Sequence, residues 1–444
     1  MDTIKKRINQ GAPGVRIILM PKRDVLMRIG EAPISAKAVA TFGDNAAAAA
    51  SQRFEQGIKP ILTRLNAIGL QQVRAPGVSS DKIEQRVKQG FFESLSLVRA
   101  VTVRLTRDSD VDRVLDAAND QFDVVLDVRA DNDAGLSASD TISPRRRRAQ
   151  WPQRTGIPDA WNQGVKGRGV LVGVLDTGID ADHGEFKRRQ VEFRYIPPAA
   201  LETGTSMRPV RGFDTDGHGT HVCGIIAGRS VGIAPDVDLH VASVIESETL
   251  RASLWRTVYG LDWLFRRFVE PRNRLVPSIV NLSLCFYEDL MQREEIEDWR
   301  IVLGRAIEDM HSKDTLVIAA AGNRGAGFIG YPAGFDNVLA VGAVDWTGNV
   351  AGFSGEPTRT ARRDIYGFGV DISSSIERDC GGKSYYRLSN GTSMAAPYVT
   401  GIAAMLRSTN PRTTANDVRR HLLDNAIDAG EGIRIARFSH WPKV

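Results

Sequence analysis

Cysteine is scarce in this chain of 444 residues, with only Cys223, Cys285 and Cys380 present. Three thiols cannot all pair within one chain, so a disulfide framework is excluded and a reducing compartment is permitted. Neither a CxxC nor an HxxxH spacing occurs, which removes the common zinc patterns. Long apolar runs are missing as well. Near the start, Ile17-Ile18-Leu19-Met20 is closed by Pro21-Lys22-Arg23, far short of a secretory core or of the roughly 20 residues that span a bilayer. No sign of charge dominates either: 58 Lys and Arg stand against 53 Asp and Glu, a formal +5 that is too dilute to argue for nucleic acid. These absences predict a soluble, cytoplasmic protein with no metal or cofactor, no nucleic-acid partner and no membrane.

What is present is ordinary globular material, 42% hydrophobic and 25% charged, in a chain long enough for two to four domains. From Val15 to about Arg129 the pattern predicts a strand over 15–20, a helix over 45–66, then strand, helix and strand over 97–105, 110–121 and 122–128, with Asp110 as an N-cap. This reads as a small α/β domain over 1–130. The stretch 131–150 is poor in apolar residues and carries Arg145, Arg146, Arg147 and Arg148, so it reads as an exposed linker.

From Trp151 to the end the texture changes. Apolar runs at 169–175, 239–244, 278–284, 315–321 and 338–344 lack alternation, as strands buried on both faces do, and amphipathic helices are predicted over 218–227, 251–268 and 296–311. Such alternation predicts a mostly parallel sheet between two helical layers. In sheets of this kind functional groups collect where strands end and helices begin. Three such points carry chemistry. Gly173-Val174-Leu175-Asp176-Thr177-Gly178 puts a carboxylate past a buried strand. The segment Asp214-Thr215-Asp216-Gly217-His218-Gly219-Thr220-His221 puts an imidazole at the start of a helix. Asn390-Gly391-Thr392-Ser393-Met394-Ala395-Ala396-Pro397 puts a hydroxyl at the start of another, with Pro397 expected in the first turn, where amides lack intrahelical partners.

Taken singly, Asp176 reads equally well as a turn residue, and Ser393 as part of a plain helix N-terminus. Together they form a set, because acyl transfer by a hydroxyl needs a base and the base needs a group fixing its tautomer. The chain order Asp, His, Ser differs from that of α/β-hydrolases and of chymotrypsin-like enzymes. At this point the sequence resembles the subtilisin-like serine peptidases, through Leu-Asp-Thr-Gly, His-Gly-Thr-His and Gly-Thr-Ser-Met-Ala, over about residues 151–423.

The resemblance implies a subtilisin-like three-layer α/β/α fold and a serine endopeptidase acting on protein or peptide. It implies Ser393 as nucleophile, His218 as general base and acid, and Asp176 as the orienting carboxylate. Ala320-Ala321-Gly322-Asn323 implies Asn323 as the side-chain donor to the oxyanion, and His221 as a structural histidine. Ser283 and Leu284 resemble the strand that pairs with extended substrate. Cys285, Phe286 and Tyr287 follow where glycines are usual, so a narrower or differently walled groove is expected, with Cys285, Gly322 and Arg324 also lining it. Arg324 at the mouth of the pocket for the residue before the scissile bond would disfavour cations and accept acids, by about 1 to 4 kcal/mol at ~4 Å. The calcium loop that many relatives carry after the histidine helix has no counterpart in residues 227–235.

By position and element order, the N-terminal domain is expected to be a propeptide that aids folding or inhibits intramolecularly. It would dock on the two helices beside the active site, with residues 128–136 in the cleft. Arg145–Arg148 then reads either as a zymogen processing site or as a solvated linker. Cys223 and Cys285 read as small buried hydrophobes or as redox handles. Two other functions use the same residues: a catalytically silent binding protein, and an esterase or peptide transferase.

Overall fold

A computed structural model describes residues 15–28, 54–72, 91–95, 99–105, 111–118, 121–127, 142–143, 151–196, 210–246, 251–288, 293–356 and 364–442. The predicted Asp110 cap, residues 128–136 and Arg145–Arg148 lie outside these.

The N-terminal part contains β1 (Val15–Pro21), α1 (Arg23–Arg28), α2 (Lys59–Ala67), β2 (Gln71–Gln72), β3 (Phe91–Leu95), β4 (Ala100–Leu105), α3 (Val111–Ala118) and β5 (Phe122–Leu126). They form a sheet of order β2-β3-β4-β1-β5 in which β1 runs antiparallel to both β4 and β5. One face buries Ile17, Leu19, Val101 and Val103 under α2 and α3. Ile18, Met20, Leu95, Ala100 and Val125 join a different apolar cluster, shared with Leu254, Trp255, Trp299 and Val302 of the larger part.

The larger part opens with α4 (Ile157–Asn162) and continues through β7 (Leu171–Asp176), β8 (Val191–Tyr195), α5 (His218–Ala227), β9 (Asp238–Ser243), the short β10 (Ile245–Glu246) and β11 (Arg251–Ala252), α6 (Leu254–Phe268) and β12 (Ser278–Leu282). Then follow α7 (Arg293–Ser312), β13 (Leu316–Ala320), β14 (Val338–Val344), β15 (Ile365–Phe368), β16 (Ile372–Ile376), β17 (Tyr385–Ser389), α8 (Thr392–Thr409) and α9 (Ala415–Asp424), and the short strands β18 (Ile427–Asp428) and β19 (Arg434–Ile435) close the chain. The central sheet has nine strands in the order β18-β19-β15-β14-β13-β12-β7-β9-β8, parallel except between β18 and β19. Alternation along β7 makes the three layers. Val172 and Val174 pack with α5 and α8 on one face, whereas Leu171 and Leu175 pack with α6 and α7 on the other.

The fold is therefore the expected subtilisin-like α/β one, with a small sheet ahead of it. It differs from the sequence reading at the linker. Ile142–Ser143 forms a strand, β6, pairing antiparallel with β17 through Tyr386 opposite Ser143 and Arg387 opposite Ile142. The edge of β17 offers unpaired backbone groups, and two linker residues satisfy them.

The small sheet docks on α6 and α7. Asp127 Oδ1 accepts the Trp255 backbone N–H at 2.8 Å, in the first turn of α6, where amides lack internal partners. The Arg16 guanidinium lies 3.6 Å from the Trp255 ring centroid. Arg305 donates to the Pro21 carbonyl at 2.9 Å, and Arg99 pairs with Asp309 at 2.6 Å.

Candidate active site

Asp176 is the last residue of β7, fully buried, at the carboxyl edge of the sheet. His218 is the first residue of α5 and is also buried. Its Nδ1 lies 2.7 Å from Asp176 Oδ1, an oxygen that also accepts the Thr177 backbone N–H at 2.7 Å. This fixes the proton on Nδ1 and leaves Nε2 as the basic atom. Nε2 has no hydrogen-bond partner among the described residues.

A second set of bonds holds strand end and helix start together. The Thr177 hydroxyl donates to Asp214 Oδ1 at 2.7 Å and accepts the Gly219 N–H at 2.8 Å. Asp214 Oδ2 accepts the N–H and hydroxyl of Thr220, each at 2.6 Å. Asp214 thus serves as a helix N-terminal acceptor for α5.

Burial is the largest influence on the His218 pKa and pulls it down. The carboxylates of Asp176, Asp216 and Asp214 together outweigh it, and the net shift is upward. His221 goes the other way. It is buried, its Nε2 meets the Arg387 carbonyl at 3.0 Å, and burial with the Arg387 guanidinium takes it down to about 3, so it stays neutral.

Ser393 stands in the first turn of α8, buried, and α8 packs on α5. Gly391 precedes the helix at φ 148°, ψ 157°, a conformation that side chains disfavour, and this sets the abrupt turn from β17 into the helix. Pro397 lies in the second turn rather than the first, because α8 begins at Thr392. It deprives the Ser393 carbonyl of its usual i+4 amide. The Ser283 hydroxyl donates to that carbonyl instead at 3.1 Å, and Asn281 Nδ2 donates to Ser283 Oγ at 3.0 Å.

Asn323 follows β13 in the turn Gly322-Asn323-Arg324. Its Oδ1 accepts both the backbone N–H and the hydroxyl of Thr392, each at 2.9 Å, and Thr392 Oγ1 accepts the Gly322 N–H at 3.2 Å. With the carbonyl oxygen committed to Thr392, the Asn323 amide nitrogen is turned toward Gly391 and the start of α8.

The side chains of Ser283, Leu284 and Cys285 are all buried, and the paired register of β12 ends at Leu282. Cys285 Sγ donates to the Ala320 carbonyl at 3.3 Å. Arg324 places its guanidinium 4.0 Å from the centroid of the Tyr287 ring. Cys223 is fully buried in α5, and burial pushes its thiol well up, as an inert core residue requires. No group of three or more His, Cys, Asp or Glu suited to a metal occurs among the described residues. Nor is any described helix long and apolar enough to cross a membrane.

Sequence reading passed over Thr177, Asp214, Thr220, Thr392 and Tyr287 as working residues. The first four stand inside the motifs around Asp176, His218 and Ser393, so their adjacency to those residues was the available signal. Tyr287 had only the departure from glycine at 285–287.

A buried aspartate–histidine pair at the carboxyl edge of a parallel sheet, with the histidine's helix packed on the helix that Ser393 opens, fits the architecture of α/β hydrolytic enzymes. The chain is a member of the subtilase family, whose model matches residues 167–439, and it is a subtilisin-like serine endopeptidase. It is 43% identical over 352 residues to the Subtilisin-like protease PopC of Myxococcus xanthus (strain DK1622), covering 76% of this chain and 74% of that one. It is 34% identical over 284 residues to Subtilisin Savinase of Lederbergia lenta, covering 62% of this chain and 90% of that one. A solved cold adapted subtilisin-like serine proteinase aligns at 24% identity with a TM-score of 0.48, covering 63% of this chain and 91% of that chain.

Proposed function

We propose that this peptidase works through Ser393, His218 and Asp176, with Asn323 as oxyanion donor, and that the N-terminal part restrains it. The observation that carries the reading is the 2.7 Å contact of buried Asp176 with His218 Nδ1, which leaves Nε2 uncommitted, at the start of a helix that packs on the one bearing Ser393. Catalytic hydrogen bonds commonly tighten only when substrate is bound, so Ser393 needs no bond to Nε2 in the resting enzyme.

In this reading Ser393 Oγ attacks the peptide carbonyl carbon while His218 Nε2 takes its proton, and the imidazolium is stabilised by Asp176. The oxyanion accepts from the Asn323 side-chain amide and from the Ser393 backbone N–H, which by its place in the first turn has no intrahelical acceptor. His218 then returns the proton to the leaving nitrogen as the C–N bond breaks. Water deprotonated by the same histidine hydrolyses the acyl-enzyme. Ser283, Leu284, Cys285, Gly322 and Arg324 wall the groove, and peptide pairs along 283–284. Arg324 at its mouth favours acidic over basic residues before the cut.

The division we infer is an inhibitory or folding domain over 1–130, a linker over 131–150 and the enzyme over 151–444, in the cytoplasm. Contacts of Asp127, Arg16 and Arg99 with α6 and α7 support docking of the first on the third. A peptide-library digest by the wild type beside Ser393→Ala tests the reading. Cleavage by the wild type alone is expected; equal cleavage by the variant removes Ser393 from the mechanism.

A further inference from the structure

We propose that Tyr287 is a positioning residue for catalysis, holding the Gly322-Asn323-Arg324 turn so that the Asn323 amide faces the carbonyl under attack. This rests on the reading of Asn323 as oxyanion donor. One buried side chain touches three consecutive residues of the turn. Tyr287 is only 2% exposed. Its hydroxyl accepts the Asn323 backbone N–H at 3.1 Å. Gly322 has φ +103°, and a Cβ there would fall 2.2 Å from the same hydroxyl, so the phenol occupies space that only glycine leaves open. The ring then carries the Arg324 guanidinium at 4.0 Å.

Thr392 holds the same turn from the side of α8, through Asn323 Oδ1 and the Gly322 N–H. The two contacts divide the work. Thr392 fixes the rotation of the Asn323 carboxamide, whereas Tyr287 fixes the backbone from which that side chain springs. An oxyanion donor is effective only when it is placed before charge develops, within about 0.5 Å of its working position. The two residues leading into Tyr287 are themselves anchored. Phe286 exchanges backbone bonds with Tyr331 at 2.7 and 2.9 Å, and Cys285 Sγ reaches the Ala320 carbonyl at the end of β13.

Tyr287→Phe removes the acceptor and keeps the ring beneath Arg324. In the full-length protein it is expected to lower kcat about three- to tenfold, the worth of one neutral hydrogen bond, with KM within about twofold. In an Asn323→Ala background, the same change should alter kcat by less than about twofold, because the group it positions is gone. Three results decide otherwise. An unchanged kcat for Tyr287→Phe, where Asn323→Ala loses roughly 10²-fold or more, overturns the role of Tyr287 and leaves Asn323 as donor. An equal loss in both backgrounds shows that Tyr287 acts through something other than Asn323 and also overturns it. An Asn323→Ala enzyme with unaltered kcat overturns the donor assignment, and the Tyr287 role with it.

Discussion

At the scale of single residues, His218 is poised by opposing influences: burial disfavours its charge, and three carboxylates favour it, with the balance upward. In the general-base role proposed for it His218 must be neutral, so kcat/KM should fall as pH drops through a value above the ordinary histidine pKa of about 6.5. Asp216 is half-buried and does not touch the imidazole, yet it contributes to that shift. Asp216→Asn is therefore expected to move the acid limb of the pH–rate profile downward while leaving the plateau within about threefold. A limb that stays put would show that Asp216 does not act on the base. The placement of Asp176 at a strand end and of His218 and Ser393 at helix starts was legible in the sequence, because each stands in a short motif whose pattern is local. Asn323 was legible only through the resemblance. Tyr287 was not, because its partner lies 36 residues away and phenol-to-amide contacts leave no spacing pattern.

At the scale of elements, β7, β9, β12, β13 and β14 were visible because strands buried on both faces must be continuously apolar. β8 and β16 were not. Every residue of β8 is half-buried, and β16 reads Ile-Ser-Ser-Ser-Ile although all five residues are buried. The serines satisfy themselves on the histidine helix: Ser374 donates to the His221 carbonyl at 2.7 Å and Ser375 to that of Thr220 at 3.0 Å. A hydropathy pattern cannot reveal polar groups paid for in this way. Helix α8 makes the same point, since the Ser393 carbonyl in its first turn depends on a hydroxyl from β12's extension. Ser283→Ala leaves the Ser393 carbonyl without its donor and should lower stability by about 1–3 kcal/mol, read as a drop in the denaturant midpoint. No change would mean that water replaces the hydroxyl there.

At the scale of the whole molecule, buried histidines tie stability to pH, His221 and His240 most strongly. Burial takes His221 down to about 3 and, with the Arg267 guanidinium adding to it, His240 down to about 4. Both bind protons more readily unfolded than folded, so their stabilisation is complete above about pH 6.5 and is lost as pH falls toward those values, at roughly 1.4 kcal/mol per unit for each at most. Thermal melts between pH 7 and 4.5 should show Tm falling, with a shallower fall in His240→Gln. Equal slopes would remove His240 from the account. The restraint proposed for the N-terminal part is also a matter of the whole chain. Arg16→Ala combined with Asp127→Ala removes a ring-stacked cation and a helix cap, and should raise the initial rate of peptide hydrolysis by the intact chain on the order of tenfold. An unaltered rate would separate docking from inhibition.

The union of serine, imidazole and carboxylate is tested most directly by covalent labelling. A fluorophosphonate added to the purified protein, followed by peptide mapping, should give one adduct, on Ser393, absent from Ser393→Ala and strongly slowed in His218→Ala. An adduct on a different serine, or undiminished labelling without His218, would contradict it.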